Sequence, residues 1–287
     1  MPEGPECRVI ADVIQGITNK KRVLETVIVE NTPGTGHRYN RKKPTNWEAI
    51  TKPFYPKEVR TTGKLISLDM CSDTYETDRH WTLLFTLGMS GDFQHNAMNH
   101  KHCRYAFKFD TGEDLSFIDI RCFGTIRIVK PWEAAKIEKK IGWDLLESAM
   151  ADDDWHQLKL DSRLTALEVG DALLEQKHFS GLGNIYRAEV LYRTGLNPQT
   201  PIMLLSKDQW KSINHTSHQL LQEAYKLKGC SVADFTANGV EGQAQQLLKV
   251  YGKSVCPKGH PIMRIPQSGR TMHFCPQCQP RVPSCSQ

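Results

Sequence analysis

Near the C-terminal end of this 287-residue chain, Cys256, His260, His273, Cys275, Cys278 and Cys285 crowd together, all side chains that ligate soft metals. The spacing Cys256-x3-His260, fourteen residues, then Cys275-x2-Cys278 sets two donor pairs at the open end of a β-hairpin, with Pro266, Ser268 and Gly269 placed to turn it. Four such donors close a tetrahedral zinc site. A hairpin this short has little core, so the metal would supply much of its folding energy. One structural zinc per chain is therefore expected on Cys256, His260, Cys275 and Cys278, with His273 or Cys285 as substitutes for His260. Arg270 lies between the ligand pairs in a stretch without carboxylates. A guanidinium there is placed to fork onto a phosphate, although a lone turn arginine is also simply solvated.

The other end of the chain offers a nucleophile. Methionine before a small residue such as Pro2 is normally trimmed, which would leave Pro2 with a free secondary amine. Attack of that amine on a sugar C1′ gives an iminium, cationic at any pH and an electron sink for elimination. With an α-amino pKa near about 8, a useful fraction is unprotonated around neutrality. Glu3 and Glu6 stand close enough to give or take the proton. The same residues also spell a helix start, with proline at the first turn and acids beside it.

These groups need a scaffold, and the composition allows an ordinary one. With 39% hydrophobic and 24% charged residues the chain is neither disordered nor collagen-like. Its longest apolar runs, such as Leu83 to Phe85, fall far short of the ~18 residues of a membrane span, and the start lacks the pattern of a signal peptide. The chain is expected inside a cell, not secreted. Cys7, Cys71, Cys103, Cys122 and Cys230 are scattered singly, as reduced thiols would be. Net charge is +5, unevenly spread. His37 to Lys64 holds eight Lys/Arg against Glu48 and Glu58, and Gly242 to the end holds six and no acid. Two basic stretches suit a polyanion if the fold brings them together, and two solvated faces if it does not.

The periodicity predicts an α+β protein. A first helix carries Val9, Ile10, Val13, Ile14 and Ile17 on one stripe. Strands follow over 22–30, 59–70 with a Thr-Thr-Gly-Lys turn, 80–89, 105–109 and 115–119 around Asp-Thr-Gly-Glu, and 123–129. This block reads as a β-sandwich behind one helix. The period then changes, with helices over 132–140, 163–176, 184–194 and 206–228. Between the second and third, Gly181 and Gly183 are read as positive-φ turn positions, and Asn184 as the N-cap of the next helix. A phosphate could sit at that helix end, or Asn184 could only cap. The expected divisions are 1–131, a β-sandwich domain; 132–247, a helix-two-turn-helix domain; and 248–287, the β-hairpin zinc finger and tail.

The motifs Pro2-Glu3-Gly4-Pro5-Glu6, Thr62-Gly63-Lys64, Leu87-Gly88-Met89-Ser90-Gly91, Asp119-Ile120-Arg121-Cys122-Phe123-Gly124, Gly181-Leu182-Gly183-Asn184-Ile185-Tyr186, and Gly269-Arg270 followed by Phe274-Cys275-Pro276-Gln277-Cys278-Gln279 resemble, in order, the signatures of the formamidopyrimidine-DNA glycosylase and endonuclease VIII (Fpg/Nei) family. The start resembles the Nei branch more than the Fpg branch. The resemblance implies DNA bound in a cleft between the β-sandwich and the helical domain. It implies Pro2 as nucleophile and Schiff-base former, Glu3 as general acid/base and Glu6 in support. Lys64, Asn184 and Arg270 would hold phosphates around the lesion. Met89, Arg121 and Phe123 would fill the gap left by an extruded nucleotide, since a base must leave the stack before its C1′ can be attacked.

Two positions depart from the family pattern: Cys122 stands where an arginine is usual, and Gly259 where the zinc finger normally has its second cysteine, with His260 the neighbouring substitute. The implied function is a bifunctional DNA glycosylase and abasic-site lyase of base excision repair. It would act as a monomer on double-stranded DNA carrying oxidised bases, pyrimidines preferred, or abasic sites, and cut the strand by β,δ-elimination. The rivals are a non-catalytic zinc-finger DNA-binding protein of the same fold and an RNA-binding zinc ribbon, the latter disfavoured by a lack of stacking aromatic motifs.

Overall fold

The computed structural model describes residues 2–29, 44–73, 79–151, 154, 158, 160–231 and 236–281. Arg38, Arg41, Lys42 and Lys43 of the first basic stretch, and Cys285, lie outside these residues. By packing, the chain forms two compact units, Met1–Lys140 with Leu227–Gln245, and Ile141–Lys226 with Gln246–Gln287. Residues 132–140 and 227–245, read from the sequence as part of the helical domain, thus pack with the first unit.

The first unit opens with α1 (Gly4–Thr18), which has Pro5 in its first turn and buries Val9, Ile10, Ala11 and Ile14. Among the described residues eight strands follow: β1 (Val23–Ile28), β2 (Phe54–Thr62), β3 (Leu65–Ser72), β4 (His80–Thr86), β5 (Gly91–His95), β6 (Cys103–Phe109), β7 (Asp114–Asp119) and β8 (Thr125–Val129). Short α2 (Glu48–Thr51) precedes β2, and α3 (Pro131–Glu138) follows β8. All eight strands form one antiparallel sheet in the order β5-β7-β6-β1-β2-β3-β4-β8. The sandwich comes from this single sheet folding over on itself. Phe85 of β4 and Phe93 of β5 stand near opposite ends of the strand order, yet their rings are 5.2 Å apart, edge to face. Phe54, Phe107 and Phe117 complete the buried aromatic layer.

In the second unit, β9 (Trp143–Asp144) pairs in parallel with β10 (Phe179–Ser180). The helix expected over 163–176 is instead two single turns, α4 (Ser162–Thr165) and α5 (Val169–Ala172). Asp161 caps the first, accepting from Arg163 N at 2.9 Å. The break arises because residues 167–169 are taken up by tertiary pairing. Ile202 N donates to Leu167 O at 3.0 Å, Val169 N to Thr200 O at 2.8 Å, and Glu168 bridges Pro201. Helices α6 (Asn184–Arg193) and α7 (Lys207–Lys226) follow, then the hairpin β11 (Met263–Gln267) and β12 (Arg270–Phe274). Gly181 does take a positive φ of 87°, but Gly183 is extended at φ −135° and is itself the N-cap of α6. Asn184 is therefore the first helical residue and not the cap.

Candidate active site

Pro2, Glu3 and Glu6 are all buried at the N-terminal end of α1. Glu3 is the N-cap residue, and it closes a capping box with Glu6 in which Glu3 N–H donates to Glu6 Oε2 at 2.8 Å. The second oxygen of Glu6 is equally committed, accepting from Cys230 N at 2.7 Å. Gly229 permits this approach. Its φ is +80°, and a Cβ there would lie 2.8 Å from Glu6 Cγ. With both oxygens bonded to backbone amides, Glu6 fixes the geometry of the chain start. Lys64 arrives from the β2–β3 turn, where Gly63 takes φ 57°, and its carbonyl meets Cys7 Sγ at 3.6 Å. The fold thus gathers Pro2, Glu3, Glu6 and the Lys64 turn around one helix end.

A second feature of this unit is a pair of loops held by one buried carboxylate. Asp119 accepts from Ser90 Oγ at 2.7 Å and Arg121 N at 3.2 Å through Oδ1, and from Gly124 N at 2.7 Å through Oδ2. Arg121 N also donates to Ser90 Oγ at 3.0 Å. The loops touch through backbone, since a Cβ on Gly88 would stand 2.6 Å from Gly124 N. With the inside of both loops fixed, Met89 is left half-buried beside an exposed Arg121 and a Phe123 that is 49% exposed. Cys122, at the position where the family pattern has arginine, turns inward. It is buried at φ 58° with Sγ toward Asp119 O at 3.7 Å.

In the second unit, Asn184 and Arg270 are joined through the hairpin backbone. Asn184 Nδ2 donates to Thr271 O at 3.0 Å, and its Oδ1 accepts from Arg187 Nη2 at 2.8 Å. Arg187 has no exposed surface at all. It also donates to Gly170 O at 2.6 Å and Gln267 O at 3.3 Å, so one guanidinium ties α5, α6 and the hairpin together. The hairpin tip is the two-residue turn Ser268-Gly269, both at positive φ, which presents Arg270 at the surface. Lys249, Lys253, Lys258, Arg264 and Arg281 are exposed as well, so all six basic residues after Gly242 face outward in this unit.

The metal-ligand reading fits one set of donors. Cys256, His260, Cys275 and Cys278 offer ligand atoms within 4.8 Å of one another. Cys256 and Cys278 sulfurs are 4.0 Å apart, and His260 Nδ1 lies 3.4 Å from Cys278 Sγ and 3.8 Å from Cys275 Sγ. A tetrahedral zinc with bonds of about 2.0–2.3 Å needs ligand separations of about 3.5–3.8 Å. Gly259 explains the one-residue shift. At φ 80° it lets Cys256 N reach His260 O at 2.9 Å and turns the imidazole inward. Burial works against the Cys256 thiolate, but donation from the Lys258 and His260 backbone outweighs it and brings the thiol down to about 6. His273 is elsewhere, packed against the Tyr251 ring at 4.9 Å.

Asp119, Arg187 and Glu189 are the residues that sequence reasoning missed. Glu189 is fully buried on α6 and accepts from Lys249, Val250 and Tyr251 N at 2.8, 2.9 and 2.8 Å, seating the segment that leads into the metal ligands. The available signal was a charge inside an apolar run, as in Phe117-Ile118-Asp119-Ile120 or Ile185-Tyr186-Arg187-Ala188.

Comparison with known proteins agrees with this arrangement. Residues 1–126 match the formamidopyrimidine-DNA glycosylase N-terminal domain, and residues 142–236 the formamidopyrimidine-DNA glycosylase H2TH domain. The formamidopyrimidine-DNA glycosylase of Gluconobacter oxydans is 33% identical over 212 residues, covering 69% of this chain and 76% of that protein. That of Lactococcus lactis is 30% identical, covering 97% and 99%. A solved complex of the Lactococcus lactis enzyme with abasic-site DNA superimposes with a TM-score of 0.82 at 25% identity, over 97% of this chain and all of that one. No helix among the described residues is long and apolar enough to cross a membrane. The chain is thus a DNA glycosylase of base excision repair and belongs to the formamidopyrimidine-DNA glycosylase family.

Proposed function

We propose that this chain both excises the damaged base and cuts the strand, using Pro2 as nucleophile once Met1 is removed. The observation that carries this reading is the double clamp on Glu6, which holds the chain start against residues 229–230, while Cys7 of the same helix turn meets the Lys64 carbonyl. The Pro2 nitrogen lies at the positive end of the α1 dipole. That nitrogen attacks C1′ of the extruded nucleotide as the C1′–base bond breaks, and Glu3 handles the proton that the leaving base takes up. The Pro2 nitrogen then loses its proton, the C1′–O4′ bond breaks and O4′ takes up a proton, which opens the sugar and leaves an iminium that acidifies C2′. Loss of a C2′ proton expels the 3′ phosphate, and a second elimination expels the 5′ phosphate. Lys64, Asn184 and Arg270 are the proposed phosphate contacts, and Met89, Arg121 and Phe123 the side chains that fill the vacated stack. Zinc on Cys256, His260, Cys275 and Cys278 would supply a structural cross-link for the hairpin that presents Arg270.

The preferred lesions are proposed to be oxidised pyrimidines. The segment Asn238–Gln246 is proposed to meet the extruded base. It holds no aromatic residue to stack on a purine, and Asn238, Gly239, Val240 and Glu241 are exposed. The relatives' shared name favours a second reading, in which ring-opened formamidopyrimidines come first. Single-turnover rates on matched duplexes separate the two: thymine glycol should be excised faster than 8-oxoguanine or a formamidopyrimidine opposite cytosine, and the reverse order would overturn the pyrimidine preference.

Borohydride should trap a covalent adduct on duplexes with an abasic site or an oxidised base. Pro2→Thr, or protein with an uncleaved N-terminal extension, should trap far less. Binding without any adduct would support the non-catalytic reading instead.

Metal analysis should find one zinc per chain, lost in His260→Ala and retained in His273→Ala. Because the thiols must be deprotonated to bind, affinity should fall as pH drops, first through Cys278, whose thiol burial pushes up, and last through Cys256, whose thiol lies at about 6. An unchanged zinc content in His260→Ala would remove that residue from the ligand set.

A further inference from the structure

Asp92 is a buried carboxylate in the first unit to which the reaction above gives no task. It is 3% exposed and sits near the start of β5, three residues after Met89. Its Oδ1 accepts from Asn238 N at 3.0 Å, and its Oδ2 from Thr236 Oγ1 at 2.7 Å, Gln94 Nε2 at 2.8 Å and Gly239 N at 3.2 Å. Three of these four donors belong to one tight turn. Asn238 and Gly239 take consecutive left-handed conformations, at φ 53° and 73°, and Ala237 and Val240 exchange backbone hydrogen bonds at 2.9 and 3.0 Å. From the turn's side, Asn238 Oδ1 accepts from His95 N at 2.8 Å.

The same stretch of chain is fixed near its ends. Gln243 N reaches Leu227 O at 2.8 Å and Ala244 N reaches Gly229 O at 2.9 Å. Gly242 packs so closely that a Cβ would lie 2.2 Å from the carbonyl oxygens of Lys228 and Gly229. The next residue, Cys230, is the one whose amide binds Glu6. The segments 227–231 and 242–245 are thus anchored beside the proposed nucleophile, and the turn 236–240 beside β5, which follows the Met89 turn.

We propose that Asp92 is a positioning residue for base excision, holding the 236–240 turn by its inner edge so that the exposed edge, Asn238 to Glu241, stands ready for the extruded base. The proposal rests on the reading that Asn238–Gln246 meets that base. Burial pushes the Asp92 carboxyl up, and the donors from Gln94, Thr236 and the turn work against it. A carboxylate is suited to the task because each of its four contacts is a donor, and an amide would point its own N–H groups at some of them.

The test uses the full chain with Asp92→Asn, and Thr236→Val as a variant that leaves the sheet untouched. Hydrogen exchange at the Asn238 and Gly239 amides should accelerate in Asp92→Asn. Single-turnover excision of an oxidised base should fall at least about tenfold, and less in Thr236→Val. Cleavage of a preformed abasic site, where no base needs placing, should stay within about twofold. Wild-type excision despite faster exchange would overturn the proposal, as would equal losses of excision and abasic-site cleavage. The double variant Val240→Ala/Glu241→Ala isolates the underlying reading. If it excises normally while Asp92→Asn does not, the exposed edge does not meet the base, and the proposal falls with that reading even though Asp92 matters.

Discussion

A carboxylate taken out of water must find hydrogen-bond donors, and at Glu6 it finds two backbone amides far apart in the chain, Glu3 and Cys230. An uncompensated buried charge would cost several kcal/mol, on the order of 3–5 for a broken buried pair. That penalty fixes the first turn of α1 against residues 229–230 and sets where Pro2 stands. Without the clamp the chain start would be an ordinary terminus, free to fray, and a nucleophile there would lose the near-attack geometry on which covalent catalysis depends.

The same device recurs. Asp119 binds the amides of Arg121 and Gly124, Glu189 those of Lys249 to Tyr251, and Asp92 those of Asn238 and Gly239. In each case a buried acid organises a loop from within, and beside Asp119 and Asp92 the residues proposed to meet DNA lie on the loop's exposed side. Arg187 plays the complementary part with carbonyls, linking α5, α6 and the hairpin. Backbone held this way needs little reordering when a ligand arrives, which lowers the entropic cost of binding.

Much of the site was legible because its chemistry is local in sequence. Cys275-x2-Cys278 with Cys256 and His260 upstream pointed to one metal group, and the structure gathers those four while leaving His273 against Tyr251. Helix α1 and the two hairpins around Gly63 and Gly112 followed from periodicity and turn chemistry. What was hidden is tertiary. Nothing local marks that β4 and β5 lie face to face, or that residues 167–169 leave a helical pattern to pair with 200–202. Asn184 looked like a cap because caps favour asparagine, yet its side chain is drawn instead to Thr271 and Arg187. The partners of Asp92, Asp119 and Glu189 were hidden, since an acid in the sequence reads the same whether it faces solvent or a ring of amides.

The central claim is that the clamped chain start, and no lysine, forms the covalent intermediate. The direct measurement is mass-spectrometric mapping of the borohydride-reduced protein–DNA adduct after nuclease and protease digestion. The account predicts the sugar remnant on the peptide that begins at Pro2, attached to its nitrogen. A remnant on Lys64, or on any other lysine, would contradict it.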